Sequence, residues 1–509
     1  MTTKTLMAPS YAPSRYLGLL TNRVVELAPL LVRSQTTRQW IVRSIERQIH
    51  EQFDAQRRAG NDLPGLIADQ EAFALSLLRV AERALTEYRL SKPWLQGLFN
   101  TLIRDLFLEK QRRREAAEAF RTQYGYDQPS FLTISPFKGC NLRCVGCYAD
   151  SGANSQKLEW EIVDRLVTEA ETLWGSQFIV ISGGEPLAYR SQGKTILDLA
   201  AAHPNTFFLM YTNGTLITDE VAQRLSELGN LTPAISLEGW REQTDQRRGH
   251  GVFDKVMAAM DRLFQAGVPF GVSLTATRHN AEIILSEEFI DYIFFERHAL
   301  YGWIFQYMPI GRSFTLDLMP TPQQRLWMWR QSWRLIREKR ILLADFWNHG
   351  TLVGGCISAG GYGKGGYFYV DWNGNVSPCV FVPYAATNIK DVYARGGNLN
   401  DVYREPFFAG IRRWQTSYQH QNLLAPCLIR DHHDVLRRLI KEHEPEPSDE
   451  NARAALLDPS YAEGLMNYAR TYQELADRVW QNTYIEGRAP EFEDILNTQP
   501  QVPEVMSTP

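Results

Sequence analysis

Six short apolar runs, at 131–135, 178–182, 206–211, 233–237, 268–275 and 303–308, are separated by amphipathic stretches such as 158–174 and 253–266. A run of five or six apolar residues suits a strand buried on both faces, and apolar residues at helical spacing suit a covering helix. Six strand–helix alternations predict parallel strands joined by crossover helices, an α/β fold. Such folds place their sites at the C-terminal ends of the strands. Residues 72–90 and 94–124 carry long helical periodicity with few breakers, and Asp127-Gln-Pro-Ser130 marks a boundary before the first strand.

The chemistry-bearing residues sit just after the first run. Lys138-Gly-Cys-Asn-Leu-Arg-Cys-Val-Gly-Cys-Tyr148 places Cys140, Cys144 and Cys147 at C-x3-C-x2-C spacing. A cubane iron–sulfur cluster ordinarily takes four thiolates, so three leave one iron without a protein ligand. An incomplete ligand set reads as a place for substrate or cofactor. The bland alternatives are a zinc knuckle on Cys144 and Cys147, for which no second knuckle pair exists, or three unrelated buried thiols.

This loop, with Tyr148 after its third cysteine, resembles the radical S-adenosylmethionine (radical SAM) superfamily. Further segments resemble it in order: Ile179-Val-Ile-Ser-Gly-Gly-Glu-Pro186; Thr212-Asn213-Gly214; Ile235-Ser-Leu-Glu-Gly239 followed by Asp245, Arg248, Gly249 and Phe253; and Tyr307-Met-Pro-Ile-Gly-Arg312. Glu238 stands where the family usually has Asp. The resemblance implies a partial (β/α)6 barrel, a 4Fe–4S cluster on Cys140, Cys144 and Cys147, and a bound SAM. It assigns Tyr148, Gly183, Gly184, Glu185, Ser236, Arg248 and Met308 to SAM. Glycines without Cβ let a ligand approach the backbone, Glu185 would accept from the SAM ammonium, and Arg248 presents a fork suited to a carboxylate. The plainer readings are a surface Glu before a proline turn, a turn serine and a surface arginine. Reductive cleavage of SAM to a 5′-deoxyadenosyl radical, which takes hydrogen from substrate, is the activity implied. No Cys or Tyr stands out as a final hydrogen donor, and no paired carboxylates or Ser-His-Asp arrangement offers another chemistry.

The remaining cysteines are Cys356, Cys379 and Cys427. Tyr367-Phe-Tyr-Val-Asp-Trp-Asn-Gly-Asn-Val-Ser-Pro-Cys379 reads as a hairpin turning at Asn373-Gly374. It resembles the hairpin of the SPASM/twitch extensions that follow many radical SAM cores, and Asn388-Ile-Lys and Leu399-Asn-Asp-Val-Tyr403 resemble the segment after it. Three cysteines suit one auxiliary cluster, with Asp431, His432 and His433 the nearest non-cysteine ligands. The alternatives are structural thiols, a zinc site, and histidines that only cap a helix start. Gly360-Gly-Tyr-Gly-Lys-Gly-Gly366 fails as a phosphate loop, because Lys364 precedes Gly and the loop precedes a strand.

The expected organisation is a helical region 1–128, a radical SAM partial barrel 129–312, a helical connector 313–345, a small α+β twitch-like extension 346–435 and an acidic helical tail 436–509. A net charge of −4 gives no reason to expect nucleic acid. Six cysteines in 509 residues are too few for a disulfide scaffold and fit a reducing cytoplasm. No apolar run approaches the ~20 residues that span a bilayer. Residues 1–60 carry nine Lys/Arg against four Asp/Glu, and 16–53 has apolar residues at helical spacing, interrupted by Pro29. That segment would contact an anionic membrane surface peripherally, or pack on the protein's own core. Expected partners are a reductant such as flavodoxin or ferredoxin and a substrate that is a peptide, a lipid or another small molecule. A non-catalytic cluster-bearing scaffold or sensor is the third reading.

Overall fold

A computed structural model describes residues 35–60, 62–99, 110–361, 366–418 and 421–488. Its centre is a sheet of eight parallel strands: β1 (Phe131–Ile134), β2 (Phe178–Ile181), β3 (Phe207–Thr212), β4 (Leu231–Leu237), β5 (Gly271–Ala276), β6 (Tyr301–Gln306), β7 (Leu342–Asp345) and β8 (Tyr367–Val370). The order is β8-β1-β2-β3-β4-β5-β6-β7, and β8 continues into the antiparallel β9 (Asn375–Ser377) and then Thr387–Asn388. The two ends of the sheet do not pair with each other, so it is an open, partial barrel.

Each strand forms where the run is apolar on both faces, as in Phe178-Ile-Val-Ile against Phe207-Phe-Leu-Met. The helices supply the outer layer. Trp160–Trp174 buries Val163, Leu166, Val167, Ala170 and Trp174 and stops at Gly175, whose left-handed φ of 64° closes the last turn. Val252–Gln265 buries seven residues on one face in the same way.

The six expected strands are all present, and the sheet runs further in both directions. The four residues of β7 directly follow a long helix and carry no turn signal. Tyr367–Val370 reads as the first arm of a separate hairpin, but it pairs in parallel register with β1, Phe131↔Tyr367 through Ile134↔Val370. The extension is thus continuous with the core sheet, because Tyr367-Phe-Tyr-Val is buried throughout and needs a neighbour on each side.

The helix Gln35–Ala59 packs on Pro64–Glu87, which in turn packs on the connector helix Pro322–Lys339. Arg83, 2% exposed, donates to the carbonyls of Phe294 and Ala299 and so fixes this pair to the barrel. Of the segment 16–53 that suggested a membrane surface, 16–34 lies outside the described residues, and the remainder packs on the chain's own helices. Among the described residues no helix is long and apolar enough to cross a membrane. The C-terminal helix Pro459–Val479 folds back on Pro322–Lys339, and Tyr484 beyond it reaches Asp69. The end of the expected acidic tail, from 489, and the glycine loop at 362–365 lie outside the described residues.

Candidate active site

The C-terminal ends of the parallel strands open into one cavity of about 2930 Å³, lined by all six cysteines. Cys140, Cys144 and Cys147 lie on the loop after β1. Its backbone is gripped on several sides. Gly184 N donates to Phe137 O (2.8 Å), Glu185 N to Gly139 O (2.9 Å), Cys140 N to Gly152 O (2.8 Å) and Val145 N to Arg247 O (2.9 Å). A Cβ on Gly184 would stand 2.1 Å from Gly139 O, and Gly183 has φ +114°. The two glycines therefore let the cysteine loop lie against the end of β2, a role beyond the ligand access their sequence suggested.

Arg312 completes the grip. Its N donates to Cys147 O (3.0 Å), its Nη1 to Cys144 O (2.5 Å), its Nη2 to Ser151 O and its Nε to Asp150 (3.1 Å). Reading by motif quoted this arginine but gave it no task. Its contacts to loop carbonyls span more than 160 positions of sequence, which no local pattern reveals.

Glu185, the residue expected to meet the SAM ammonium, is held between the ends of two strands. The side chain is fully buried, does not line the cavity, and accepts from Leu187 N (3.0 Å), Thr212 Oγ1 (2.7 Å) and Asn213 N (2.8 Å). It ties the end of β2 to the end of β3. Burial raises its pKa, and these three donors pull it back.

The other expected residues do line the cavity: Tyr148, Gly183, Gly184, Ser236, Arg248 and Met308. Tyr148 shares a 2.6 Å hydrogen bond with Ser182 Oγ and accepts from Gly183 N. Arg248 donates through Nε and Nη2 to Glu238, and Arg247 bonds the same oxygen at 2.6 Å. Glu238, 1% exposed, is thus the clamp for two arginines. Its Oε2 is buried without a protein partner.

The donor set fits a cluster. All six cysteines are free thiols. Leu142 N and Asn213 Nδ2 point hydrogens at Cys140 Sγ from 3.4 and 3.6 Å, bonds that favour a thiolate. Burial pushes the Cys140 thiol up to about 11, so a bound cation is needed to hold it deprotonated. Among the described residues no three ligands converge as around a single ion. In a cubane each thiolate holds its own iron, so convergence on one point is not required.

Cys356, Cys379 and Cys427 line the far part of the same cavity. Ser358 Oγ lies 3.1 Å from Cys356 Sγ, and Tyr367 OH lies 3.0 Å from Cys379 Sγ. Burial raises the Cys379 thiol to about 12. Of the expected non-cysteine ligands, Asp431 and His432 are engaged elsewhere, and His433 bonds through Nδ1 alone, its Nε2 buried without a partner. Asp431 accepts from both terminal nitrogens of Arg325 and from Cys427 N. His432 Nε2 lies 2.9 Å from Ala425 O and His433 Nδ1 3.1 Å from Ile429 O. None of the three lines the cavity.

Residues 134–282 match the family described as the Radical SAM superfamily. The chain is similar to the mycofactocin maturase MftC of Mycolicibacterium smegmatis, 28% identical over 322 residues, which cover 62% of this chain and 78% of that one. It is also similar to the AdoMet-dependent heme synthase of Methanosarcina barkeri, 26% identical over 52% of this chain and 80% of that one. Among solved structures, Streptococcus suis SuiB bound to S-adenosylmethionine matches at 19% identity and a TM-score of 0.49, covering 63% of this chain and 77% of that one. The cysteine loop, the parallel strands that carry it and the matched residues agree, and the chain belongs to the radical SAM superfamily, enzymes that use a 4Fe–4S cluster and S-adenosylmethionine.

Proposed function

We propose that this radical SAM enzyme modifies a peptide or protein. The observation that carries this reading is the extent of the cavity. SAM and the clusters would take part of its volume of about 2930 Å³, but it runs on from Cys140 past Cys379 to Phe53 and Phe73 of the N-terminal helices. That length suits an extended substrate. Two relatives whose printed names describe maturation, the mycofactocin maturase and the sporulation killing factor maturation protein of Bacillus subtilis, support the same class.

When bound, the cluster on Cys140, Cys144 and Cys147 and SAM supply reductive cleavage of SAM to a 5′-deoxyadenosyl radical that abstracts hydrogen from substrate. The chain's residues do the positioning. Arg312, Gly184 and Glu185 hold the cysteine loop on the sheet. Tyr148, Gly183, Gly184, Ser236, Arg248 and Met308 form the wall offered to SAM. Cys356, Cys379 and Cys427 would hold an auxiliary cluster, with Ser358 and Tyr367 hydrogen-bonded to the Cys356 and Cys379 sulfurs. A flavodoxin- or ferredoxin-class protein supplies the electron, and six unpaired thiols fit the cytoplasm.

The test is anaerobic turnover. The reduced holoprotein is incubated with SAM and the short peptides encoded beside its gene, and the products are read by mass spectrometry. A changed peptide mass with matching 5′-deoxyadenosine is expected. Formation of 5′-deoxyadenosine with a lipid extract but with none of the peptides would overturn the peptide reading in favour of a lipid.

A further inference from the structure

Between the two cysteine sets the cavity wall is aromatic. Trp303 and Phe305 stand two residues apart on β6 and so share a face of the sheet. Phe305 meets Tyr211 of β3 edge-on at 5.3 Å, Phe346 at 5.6 Å and Phe381 at 5.9 Å. Phe346 and Phe381 are 5.6 Å apart, and Trp347 closes on Phe381 at 4.8 Å. All six rings line the cavity. Their position is central: Phe381 follows Cys379 by two residues, and its ring lies 6.0 Å from that of Tyr148, which follows Cys147.

The charged groups around this wall already have hydrogen-bond partners. Asp345, beside Phe346, accepts from Gln306 Nε2, Trp347 N, and both N and Nδ2 of Asn348. Arg247 and Arg248 share the single carboxylate of Glu238, which leaves that side of the cavity positive and unsuited to a cationic guest. The polar groups within the wall are the Tyr211 hydroxyl and the indole N–H groups of Trp303 and Trp347, the last buried without a hydrogen-bond partner. An apolar recess with a few directional polar groups is how a site selects a flat, uncharged ligand and fixes its orientation.

We propose that Tyr211, Trp303, Phe305, Phe346, Trp347 and Phe381 form a box that receives an uncharged aromatic group of the substrate, its polar edge turned to the Tyr211 hydroxyl. The proposal rests on reading the cavity as the substrate site, and for a peptide it means that an aromatic side chain enters the box. A charged side chain would lose its hydration there without a partner, which disfavours it.

The probe is p-cresol, an aromatic without a peptide bond, titrated into the full-length holoprotein with tetramethylammonium and N-acetyl-tyrosinamide in parallel, each followed by ligand-observed NMR. Wild type is expected to bind p-cresol and N-acetyl-tyrosinamide and to leave tetramethylammonium unbound. Phe305→Ala and, should that chain fold poorly, Phe381→Leu are expected to weaken p-cresol by roughly tenfold and threefold respectively. Tyr211→Phe is expected to weaken p-cresol about threefold while leaving toluene unaffected. Binding of p-cresol with rejection of N-acetyl-tyrosinamide supports the box and counts against the peptide reading alone. The box is overturned if tetramethylammonium binds more tightly than p-cresol, if p-cresol affinity is unchanged in the folded variants, or if wild type binds no p-cresol up to its solubility limit.

Discussion

Glu185 offers the clearest separation between a residue that touches a ligand and one that builds the surface a ligand touches. Its carboxylate accepts three bonds, from Leu187 N, Thr212 Oγ1 and Asn213 N, with no solvent contact. Bonds to an ionised acceptor contribute ~1.5–3 kcal/mol each, and desolvation of the carboxylate, visible as its raised pKa, offsets part of the sum. Glu185→Ala also leaves two backbone N–H groups and a cavity, so a loss of about 3–5 kcal/mol is expected. Glu185→Gln keeps the volume and one acceptor oxygen, and is expected to lose about half as much. Urea unfolding of the iron-free protein measures this without the cluster, and calorimetric titration of SAM into the holoprotein measures binding. An alanine variant within about 1 kcal/mol of wild type in stability, but at least tenfold weaker for SAM, would refute the scaffold role and restore a direct contact.

The Arg325–Asp431 pair is wholly buried, so Arg325→Met leaves an uncompensated carboxylate and should cost about 3–5 kcal/mol in urea unfolding; a near-neutral result would show that Asp431 finds other donors. Burial lifts Asp69 from an ordinary carboxylate pKa to about 6 against the pull of Arg337, Tyr484 and Thr351. The folded chain then keeps a proton that the unfolded chain has released, so this contribution is full below about pH 4 and is lost as pH rises through about 6. Between about pH 5 and pH 7 the melting temperature of wild type should therefore fall relative to that of Asp69→Asn, and parallel profiles would contradict the assignment. With Cys140, Cys144 and Cys147 all replaced by alanine, reconstituted protein should still bind about four irons at Cys356, Cys379 and Cys427. Iron-free protein would mark the second trio as buried thiols.

What could be read from sequence was local. The C-x3-C-x2-C loop carries its own spacing, and apolar runs such as Phe178-Ile-Val-Ile announce buried parallel strands wherever they sit. What could not be read depended on distant partners. Tyr367–Val370 looks like half of a hairpin, and only the packed sheet shows that β1 takes its other edge. The motif letters around Glu185 do not show that its carboxylate also bonds the end of β3. Those bonds depend on where Thr212 and Asn213 arrive. Asp431 sat four residues from Cys427 and so suggested a ligand, but Arg325, on a helix more than 100 positions earlier, occupies it. Arg312 was visible as the last letter of a motif, and its four bonds to the cysteine loop were not. Periodicity and spacing speak for elements, and tertiary contacts decide what each side chain faces.

The claim on which the rest depends is that the loop of Cys140, Cys144 and Cys147 holds a redox-active cluster with an iron open to SAM. Electron paramagnetic resonance of the anaerobically reduced full-length protein, recorded with and without SAM, tests it directly. A reduced-cluster signal that changes on adding SAM, and that loses this response in a folded Cys144→Ala protein, is predicted. A signal identical with and without SAM would contradict the account.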